Sequence, residues 1–277
     1  MNPDPSMTHS VFDALRRLAY DEAGIAIREN KQTLVSARIA KRMRECGIST
    51  EREYLAFLEG DKSGQEMVRF LDAISTNFTS FFREPDHFQL FEEEIRRLVE
   101  KGSKTLRIWC AAAATGEEPY SLAITLAEAV HGTGADWRLL ASDISVSALR
   151  TAAEGVYPTS RLAQVPPGLR ARYFAEQSAS AGEEAQSRVA NDLRGRVLFK
   201  RVNLATPPFP MRGDLDVVFC RNVMIYFDNA VRQRLVGEIE RLLRPGGLLV
   251  VAHSETLNGI RSGLRTVQPS VYRKVGS

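Results

Sequence analysis

From Lys104 onward, short β-rich apolar runs alternate with segments whose apolar residues recur at helical spacing. The runs read TLRIWC, WRLLASD, LDVVFC and GGLLVVA, and the helical segments include PYSLAITLAEAV and NAVRQRLVGEIERLL. Strands that alternate with helices indicate a parallel sheet whose strands are joined by crossover helices. The sequence therefore predicts an α/β domain over residues 101–277.

The N-terminal third of the chain follows a different pattern. Between Val11 and about Val99, apolar residues recur at spacings of three and four, without strand-like alternation. The polar turn KGSK at residues 101–104 separates the two patterns. A chain of 277 residues has room for two such units. We predict a flexible arm at residues 1–10 and a small all-helical domain at residues 11–100.

A passage rich in Pro, Ser and Gly interrupts the α/β alternation between Tyr157 and Asn203. It ends in the strand-like run RGRVLFKRV. We predict a small insertion with a few antiparallel strands at about residues 158–200. The tract SASAGEE within it is expected to be a flexible loop tip.

Composition excludes several classes of protein. The net charge of +3 is too weak to indicate a nucleic-acid-binding protein. The apolar runs fall far short of the roughly 20 residues of a membrane span, and the first ten residues do not resemble a secretory signal. We therefore expect a cytoplasmic protein without membrane insertion. The three cysteines and four histidines show no metal-ligand spacing, so no metal site is expected.

The loop after the first predicted strand has the composition of a ligand-binding turn. Small residues at positions 111–116 allow a ligand to approach the backbone, and a helix begins near Pro119. Asp143 follows the next strand, about where nucleotide-binding α/β folds place an acid on a ribose. The pair suggests an adenosine-bearing ligand, although a tight connection and a helix N-cap would show the same features.

Two adjacent acids, Glu117 and Glu118, narrow the choice of ligand. Carboxylates repel a pyrophosphate but attract the ammonium and sulfonium cations of S-adenosylmethionine (SAM). The loop therefore favours SAM over NAD.

Ordered motifs across nearly the whole chain carry a family resemblance. They read NFTSFFR from Asn77, TGEEPYS from Thr115, SDI from Ser142, VNL from Val202, FCRNVMIYFD from Phe219, PGG from Pro245, HSE from His253 and VYRK from Val271, with Trp109 before the loop. In this order they resemble the CheR family, the chemotaxis-receptor glutamate methyltransferases. The resemblance implies a small helical domain followed by a Rossmann-like SAM-dependent methyltransferase domain that carries a small antiparallel β insertion.

The resemblance also implies roles for individual residues. It assigns Glu117 to the amino-acid end of SAM, Asp143 to the ribose, and Asn203 with Leu204 to the adenine. Further cofactor contacts are expected from Arg221 and Asn222 and, on the helical side, from Asn77, Thr79 and Arg83. We expect Arg83 and Tyr226 to act at the reacting centre. Without the resemblance, Arg83 could instead cap a helix or pair with Glu84, and Tyr226 could be a core residue.

The loop departs from the family pattern at one place. Relatives usually have Gly-Cys-Ser where this chain has Ala112, Ala113 and Ala114. We expect alanine to keep the backbone close to the ligand provided that φ stays negative. The loss of a Ser hydroxyl is expected to remove one polar contact, worth about 0.5–1.5 kcal/mol.

The implied reaction needs no general base. A glutamate side chain has an ordinary pKa of about 4.3, so near neutral pH it is already a carboxylate and can attack the methyl group of SAM. The products are a glutamate 5-O-methyl ester and S-adenosylhomocysteine (SAH). The enzyme must align and desolvate the carboxylate.

A basic segment in the helical domain suggests a partner surface. Residues 28–44 carry six basic side chains and one acidic side chain. On a helix, Lys31, Arg38 and Arg42 share one stripe with Lys41 nearby. A solvated helix face would look the same, but acidic chemoreceptor cytoplasmic helices would be suitable partners.

Other assignments remain open at this stage. The insertion tip at 177–187 lacks the Gly-x-Gly spacing of relatives that grip a C-terminal receptor pentapeptide, so such a tether is doubtful. We expect a monomer. Two alternatives are a Rossmann methyltransferase with a small-molecule or nucleic-acid acceptor, and a scaffold that senses SAM or SAH without turnover.

Overall fold

The computed structural model describes residues 8–177 and 184–276. Five helices precede the first strand: α1 (His9–Ala23), α2 (Gln32–Cys46), α3 (Glu51–Gly60), α4 (Gln65–Ile74) and α5 (Pro85–Glu100). The sequence signals of helix ends are present, since Gly47 ends α2 in the left-handed conformation and Thr50 with Glu53 forms a capping box on α3. Most of the predicted flexible arm, residues 1–7, lies outside the described residues.

The rest of the chain builds a seven-stranded mixed sheet. Its strands are β1 (Thr105–Cys110), β2 (Asp136–Asp143), β6 (Val197–Arg201), β7 (Leu215–Phe219), β8 (Leu243–Val250), β9 (Leu264–Gln268) and β10 (Val271–Lys274). They lie in the order β6-β2-β1-β7-β8-β10-β9. The first five in this order are parallel, whereas β10 is antiparallel to both of its neighbours. The predicted α/β architecture is present.

The helices of this part are α6 (Glu117–Ala129), α7 (Val146–Glu154) and α10 (Asn229–Leu242), with two short helices, α8 (Pro167–Tyr173) and α9 (Asn191–Arg194). A short 3-10 helix spans Met224–Tyr226. Within the described ranges, no helix combines the length and the apolar character needed to cross a bilayer.

The packing of the hydrophobic cores divides the chain at a different place from the predicted boundary. Helices α1 to α4 share one core, which extends from Val11 to Ile74. Helix α5 instead places Phe88, Phe91 and Ile95 in the core of the sheet. Helical periodicity cannot tell which core a helix joins, so the prediction attached α5 to the wrong unit. On this packing we place the domain boundary near residue 75 and not near residue 101.

The predicted insertion is present but shorter. It is a three-stranded antiparallel sheet of β3 (Val156–Pro158), β4 (Phe174–Gln177) and β5 (Gln186–Val189), in the order β3-β5-β4. The run predicted as its last strand is β6, which pairs in parallel with β2 in the main sheet. The insertion therefore ends near residue 190. Most of the predicted loop tip, residues 178–183, lies outside the described residues.

Candidate active site

A cavity opens at the carboxyl ends of β1 and β7, which are neighbours at the point where the strand order reverses. Parallel α/β sheets bind ligands at such switch points. The cavity measures about 890 Å³ including its open mouth. Its walls are built by residues of the segments 74–79, 111–114, 143–144, 202–204 and 221–227. Both parts of the chain therefore contribute to it.

All of the predicted cofactor and catalytic residues except Glu117 line this cavity. They are Asn77, Thr79, Arg83, Asp143, Asn203, Leu204, Arg221, Asn222 and Tyr226. The structure brings these residues together, while their individual roles stay predictions.

Glu117 lies outside this lining. Its buried carboxylate accepts hydrogen bonds from Thr115 Oγ1 and Arg161 Nη1, both at 2.6 Å. The next residue, Glu118, does line the cavity. Successive helical residues point about 100° apart, so the two acids at the start of α6 face in different directions. The structure does not support Glu117 as a cofactor contact, and Glu118 takes its place as the candidate.

Asp143 is fixed at the end of β2 by two main-chain donors. Its Oδ2 accepts from the N–H of Ala114 at 2.8 Å, and its Oδ1 accepts from the N–H of Ser145 at 2.9 Å. Burial raises the pKa of this carboxyl, and the main-chain hydrogen bonds oppose the rise. The carboxylate is therefore held in one orientation at the cavity wall, where its remaining lone pairs can accept hydroxyl donors.

Gly116, which precedes α6, has a φ of 101°. A Cβ placed there would lie 2.5 Å from the Tyr157 hydroxyl and 2.9 Å from the Ala152 backbone. Only glycine fits this turn without displacing its neighbours.

The expectation for the alanine loop is wrong at one position. Ala114 has a φ of 44°, in the left-handed region, and not the negative φ expected of it. This conformation costs roughly 1–2 kcal/mol for a residue with a Cβ. The hydrogen bond from Ala114 N–H to Asp143 Oδ2 contributes to holding it there.

Ala114→Gly is expected to raise the free energy of unfolding by up to about 1 kcal/mol. Glycine removes the left-handed strain but gives the unfolded chain more freedom, so part of the gain is lost. Ala112, which does not have a positive φ, is the matched control. Ala112→Gly should lower the free energy of unfolding by roughly 0.5–1 kcal/mol. Urea denaturation measures both, and equal losses in the two variants would contradict the strain.

Arg221 connects the cavity to the start of α5. Its guanidinium is fully buried and donates to Glu118 Oε2 at 2.5 Å and to Glu84 Oε2 at 2.9 Å. It also donates to the carbonyl of Arg83 at 2.7 Å. Burial alone would raise the pKa of Glu84, but the hydrogen bond and charge of Arg221 lower it. Arg221 therefore compensates two carboxylates at once.

A second cluster lies behind Glu84. His87 is fully buried, with Nδ1 at 3.3 Å from Glu84 Oε2 but not aligned for a hydrogen bond. Its ring packs edge-on against His253, whose Nε2 lies 2.9 Å from Asp86 Oδ2. Burial lowers the pKa of His87 to about 4, so its ring is neutral at physiological pH. Ligand atoms of Glu84, His87 and His253 lie close enough to one another to hold a metal ion. Glu84, however, already accepts hydrogen bonds from Arg221 and from the main-chain N–H of His253.

The end of α1 reaches over the side of the cavity that residues 202–204 form. Asn203 donates from Nδ2 to the Glu22 carbonyl at 2.6 Å and accepts on Oδ1 from the N–H of Ala205 at 3.1 Å. The N–H of Ala26 donates to the Tyr226 carbonyl at 2.9 Å. Each amide atom of Asn203 therefore has one partner and can form one more hydrogen bond.

Neither alternative interpretation of the predicted catalytic residues holds. Arg83 does not pair with Glu84, which is engaged by Arg221, and its Nη1 donates to the Phe78 carbonyl at 3.4 Å. Tyr226 is partly exposed at the cavity wall and is not a core residue. Both side chains are thus available at the cavity.

The predicted docking stripe is only partly exposed. Lys31 and Lys41 are exposed, as is the neighbouring Arg44. Arg38 instead donates to the carbonyls of Ile74 and Ser75 at 2.7 and 2.8 Å. Arg42 is 12% exposed and bonds both oxygens of the buried Glu66, at 2.9 and 2.7 Å.

Arg38 and Arg42 are therefore held by contacts within their own domain, which does not favour the prediction that they bind a partner. Long arginine side chains can fold back onto their own domain although their Cα atoms lie on an outward stripe. Arg38 holds the end of α4, where the wall of the cavity begins.

Sequence reasoning missed Glu84 and Phe78. Glu84 precedes α5 with a φ of 58° and supports Arg221 from behind. Phe78 lines the cavity although 80% of it is exposed. Glu84 stands next to a predicted catalytic residue, and Phe78 stands between two predicted cofactor residues. Their places beside predicted site residues were the sequence signals that could have identified them.

Two family models match the chain. The CheR methyltransferase all-alpha domain matches residues 10–75, and the CheR methyltransferase SAM binding domain matches residues 77–272. These limits agree with the division of the hydrophobic cores near residue 75.

Curated relatives match over nearly the full chain. Chemotaxis protein methyltransferase 2 of Pseudomonas aeruginosa is 39% identical over 98% of this chain and 95% of that protein. Chemotaxis protein methyltransferases of Salmonella typhimurium and Escherichia coli are 37% and 35% identical, over 92% and 96% of this chain and 86% and 91% of theirs. Among solved structures, the glycopeptide N-methyltransferase MtfA complexed with SAM is 18% identical, with a TM-score of 0.33, over 58% of this chain and 48% of that one.

The family models and the curated relatives confirm the predicted fold class, with a helical domain ahead of a SAM-binding methyltransferase domain. The chain belongs to the CheR methyltransferase family.

Proposed function

We propose that this protein methylates glutamate side chains on the cytoplasmic helices of chemoreceptors, with SAM as the methyl donor. The products are glutamate 5-O-methyl esters and SAH. The observation that carries the proposal is the cavity at the switch point of the sheet, where Asp143 and Glu118 meet Arg83 and Tyr226. The names of the relatives support chemoreceptors as the substrate.

The residues present fit SAM. Asp143 offers a fixed carboxylate to ribose hydroxyls. Glu118, whose Oε2 accepts from Arg221, offers its remaining lone pairs to the ammonium donors of an amino-acid end. Apolar lining from Ile144, Val202 and Leu204 suits a flat base, which the main chain at 203–204 can contact. Asn77, Thr79 and Asn222 complete the polar part of the wall. When bound, SAM supplies an electrophilic methyl group.

The acceptor carboxylate is the nucleophile, and the protein has to position it. Arg83 lines the cavity with one guanidinium nitrogen on the Phe78 carbonyl, which leaves other donors to orient a carboxylate. Tyr226 lines the same cavity and can give one hydrogen bond at the reacting centre. No proton has to be removed, because the acceptor is ionised near neutral pH.

Glu118→Gln is expected to weaken SAH binding by about tenfold, which corresponds to about 1.4 kcal/mol. The variant keeps the shape of the side chain but removes its charge from the cavity wall. Glu117→Gln is the matched control, because its carboxylate faces Arg161 instead. Calorimetric titration with SAH compares the two. A stronger effect from Glu117→Gln would restore the residue predicted from the sequence.

The exposed basic edge of α2 is proposed to bind the acidic substrate helix. It consists of Lys41 and Arg44, together with Lys31 at the end of the 3-10 helix that precedes α2. The edge stands on the helix whose Arg38 holds Ile74 and Ser75 at the cavity wall. A bound helix would therefore lie beside the cavity.

The double variant Lys41→Glu with Arg44→Glu is expected to raise the KM for receptor fragments by about tenfold at low salt. Like charges would then face the acidic substrate. The kcat and the affinity for SAH should stay unchanged, because neither residue lines the cavity. Arg265→Glu, on the exposed β9, is the control for net charge. An unchanged KM would remove the docking role of this edge.

Further assignments follow from the proposed substrate. The cytoplasmic helices of receptors imply a cytoplasmic enzyme, and we expect it to act as a monomer. A pentapeptide tether stays doubtful, because the insertion tip lacks the Gly-x-Gly spacing.

Methyl transfer from labelled SAM tests the proposal against its alternatives. Purified protein is offered a receptor cytoplasmic fragment, a nucleic acid and a small-molecule extract in parallel. Alkali-labile label on the receptor fragment is expected. Label on another acceptor would favour a different methyltransferase, and SAH binding without any transfer would favour a sensing scaffold.

A further inference from the structure

Ser145 occupies a junction between the helical domain and the SAM cavity. It is fully buried and caps the N-terminus of α7. Its hydroxyl donates to Oδ1 of Asp72 on α4, and it accepts from Asn77 Nδ2 at 3.3 Å and from the Ala148 N–H at 3.1 Å. A serine hydroxyl has one donor and two acceptor positions. All three are used here.

The main chain of Ser145 orients Asp143, the proposed ribose contact. Its N–H donates to Asp143 Oδ1 at 2.9 Å, opposite the Ala114 N–H on Oδ2. A displacement of Ser145 would therefore move one of the two bonds that hold Asp143.

The side chain of Ser145 sets the orientation of Asn77. The Asn77 Nδ2 points to Ser145 Oγ, so the amide oxygen is the polar atom left for the cavity that Asn77 lines. An amide oxygen is an acceptor only, which suits the hydroxyl or ammonium donors of a ligand. The same serine thus orients two cofactor candidates, one on the segment that follows α4 and one at the end of β2.

Asp72 holds this arrangement from the helical domain. Its Oδ1 accepts from the Ser145 hydroxyl and from the Ser147 N–H, the latter at 3.3 Å. Asp72 does not line the cavity, so its hydrogen bonds act on ligand binding through Ser145 and Ser147, while its charge also acts on Asp143 directly.

We propose that Asp72 and Ser145 are positioning residues through which the contact between α4 and α7 sets the affinity of the SAM site. The inference rests on the proposed cofactor contacts of Asp143 and Asn77. Hydrogen-bond networks of this kind fix a ligand-binding group only when each member is satisfied. The helical domain then serves cofactor binding as well as substrate docking.

Calorimetric titration with SAH tests the proposal in the full chain. Asp72→Ala and Ser145→Ala are expected to weaken binding by tenfold or more. Asp72→Asn keeps an oxygen acceptor at the same position and should bind SAH within about threefold of wild type, which no general loss of packing would predict. Thr151→Ala is the matched control on the same helix, because its hydroxyl donates to the Ser147 carbonyl and lies outside the contacts of Asp72 and Ser145.

Thermal unfolding without ligand separates positioning from folding. Asp72→Ala and Asp72→Asn should unfold within a few degrees of each other while they differ in SAH affinity. Wild-type affinity in Asp72→Ala, or equal weakening in Asp72→Ala and Asp72→Asn, would overturn the proposal. Wild-type protein that binds SAH but transfers no methyl group would refute the proposed function and leave this inference standing.

Discussion

Arg221→Ala is expected to destabilise the protein by about 3–5 kcal/mol at neutral pH. The Arg221 side chain is 0% exposed and pairs with the carboxylates of Glu84 and Glu118, so the substitution removes the partner of both. A buried charge that loses its partner is among the most costly changes in a folded protein. Urea denaturation gives the change in the free energy of unfolding. Arg265→Ala, on the exposed β9, should change it by less than about 0.5 kcal/mol.

The destabilisation should depend on pH in a defined direction. The folded-state pKa of Glu84 lies below its ordinary value because of Arg221, against the effect of burial. The stability gained from this pairing is therefore present above the unfolded-state pKa of glutamate, about 4.3, and is lost as the pH falls through the folded pKa. The difference in unfolding free energy between wild type and Arg221→Ala should therefore narrow as the pH falls from about 4.3 through the folded pKa of Glu84. A gap that stays constant would contradict the ionic role of Arg221.

Asp143→Ala is expected to weaken SAH binding by about 100-fold. A charged acceptor that makes two hydrogen bonds to a ribose contributes about 1.5–3 kcal/mol for each bond, and tenfold in affinity is about 1.4 kcal/mol. The loss also frees the N–H groups of Ala114 and Ser145, which shape the loop and the start of α7.

Calorimetric titration measures this effect, with Asp192→Ala as the control. Asp192 is an exposed acid on α9 away from the cavity and should leave SAH affinity unchanged. If Asp143→Ala bound SAH within about threefold of wild type, the ribose assignment would be wrong.

Periodicity predicted the elements of the fold well but not their partners. The alternation after Lys104 identified the strands of the sheet, because each strand has a local apolar signature. The same signature does not say which sheet a strand joins, so β6 was assigned to the insertion although it pairs with β2. Helix α5 was assigned to the helical domain for the same reason, although its aromatic residues pack on the sheet.

The sequence predicted which residues gather at the site but not the directions in which their side chains point. Motif order brought Asn77, Asp143, Arg221 and Tyr226 into one cavity. Motif order could not show which of Glu117 and Glu118 faces the cavity. Neighbouring side chains on a helix point in different directions, and which of them faces a cavity depends on how the helix packs. The φ of Ala114 and the inward turn of Arg38 likewise depend on tertiary hydrogen bonds, to Asp143 and to Ile74.

Glutamate methylation itself is tested most directly by mass spectrometry of a receptor cytoplasmic fragment after incubation with this protein and SAM. The expected result is a gain of one methyl group on specific glutamate side chains, reversed by mild alkali and absent with Arg83→Ala. Methylation on another residue type, or equal methylation with Arg83→Ala, would contradict the account.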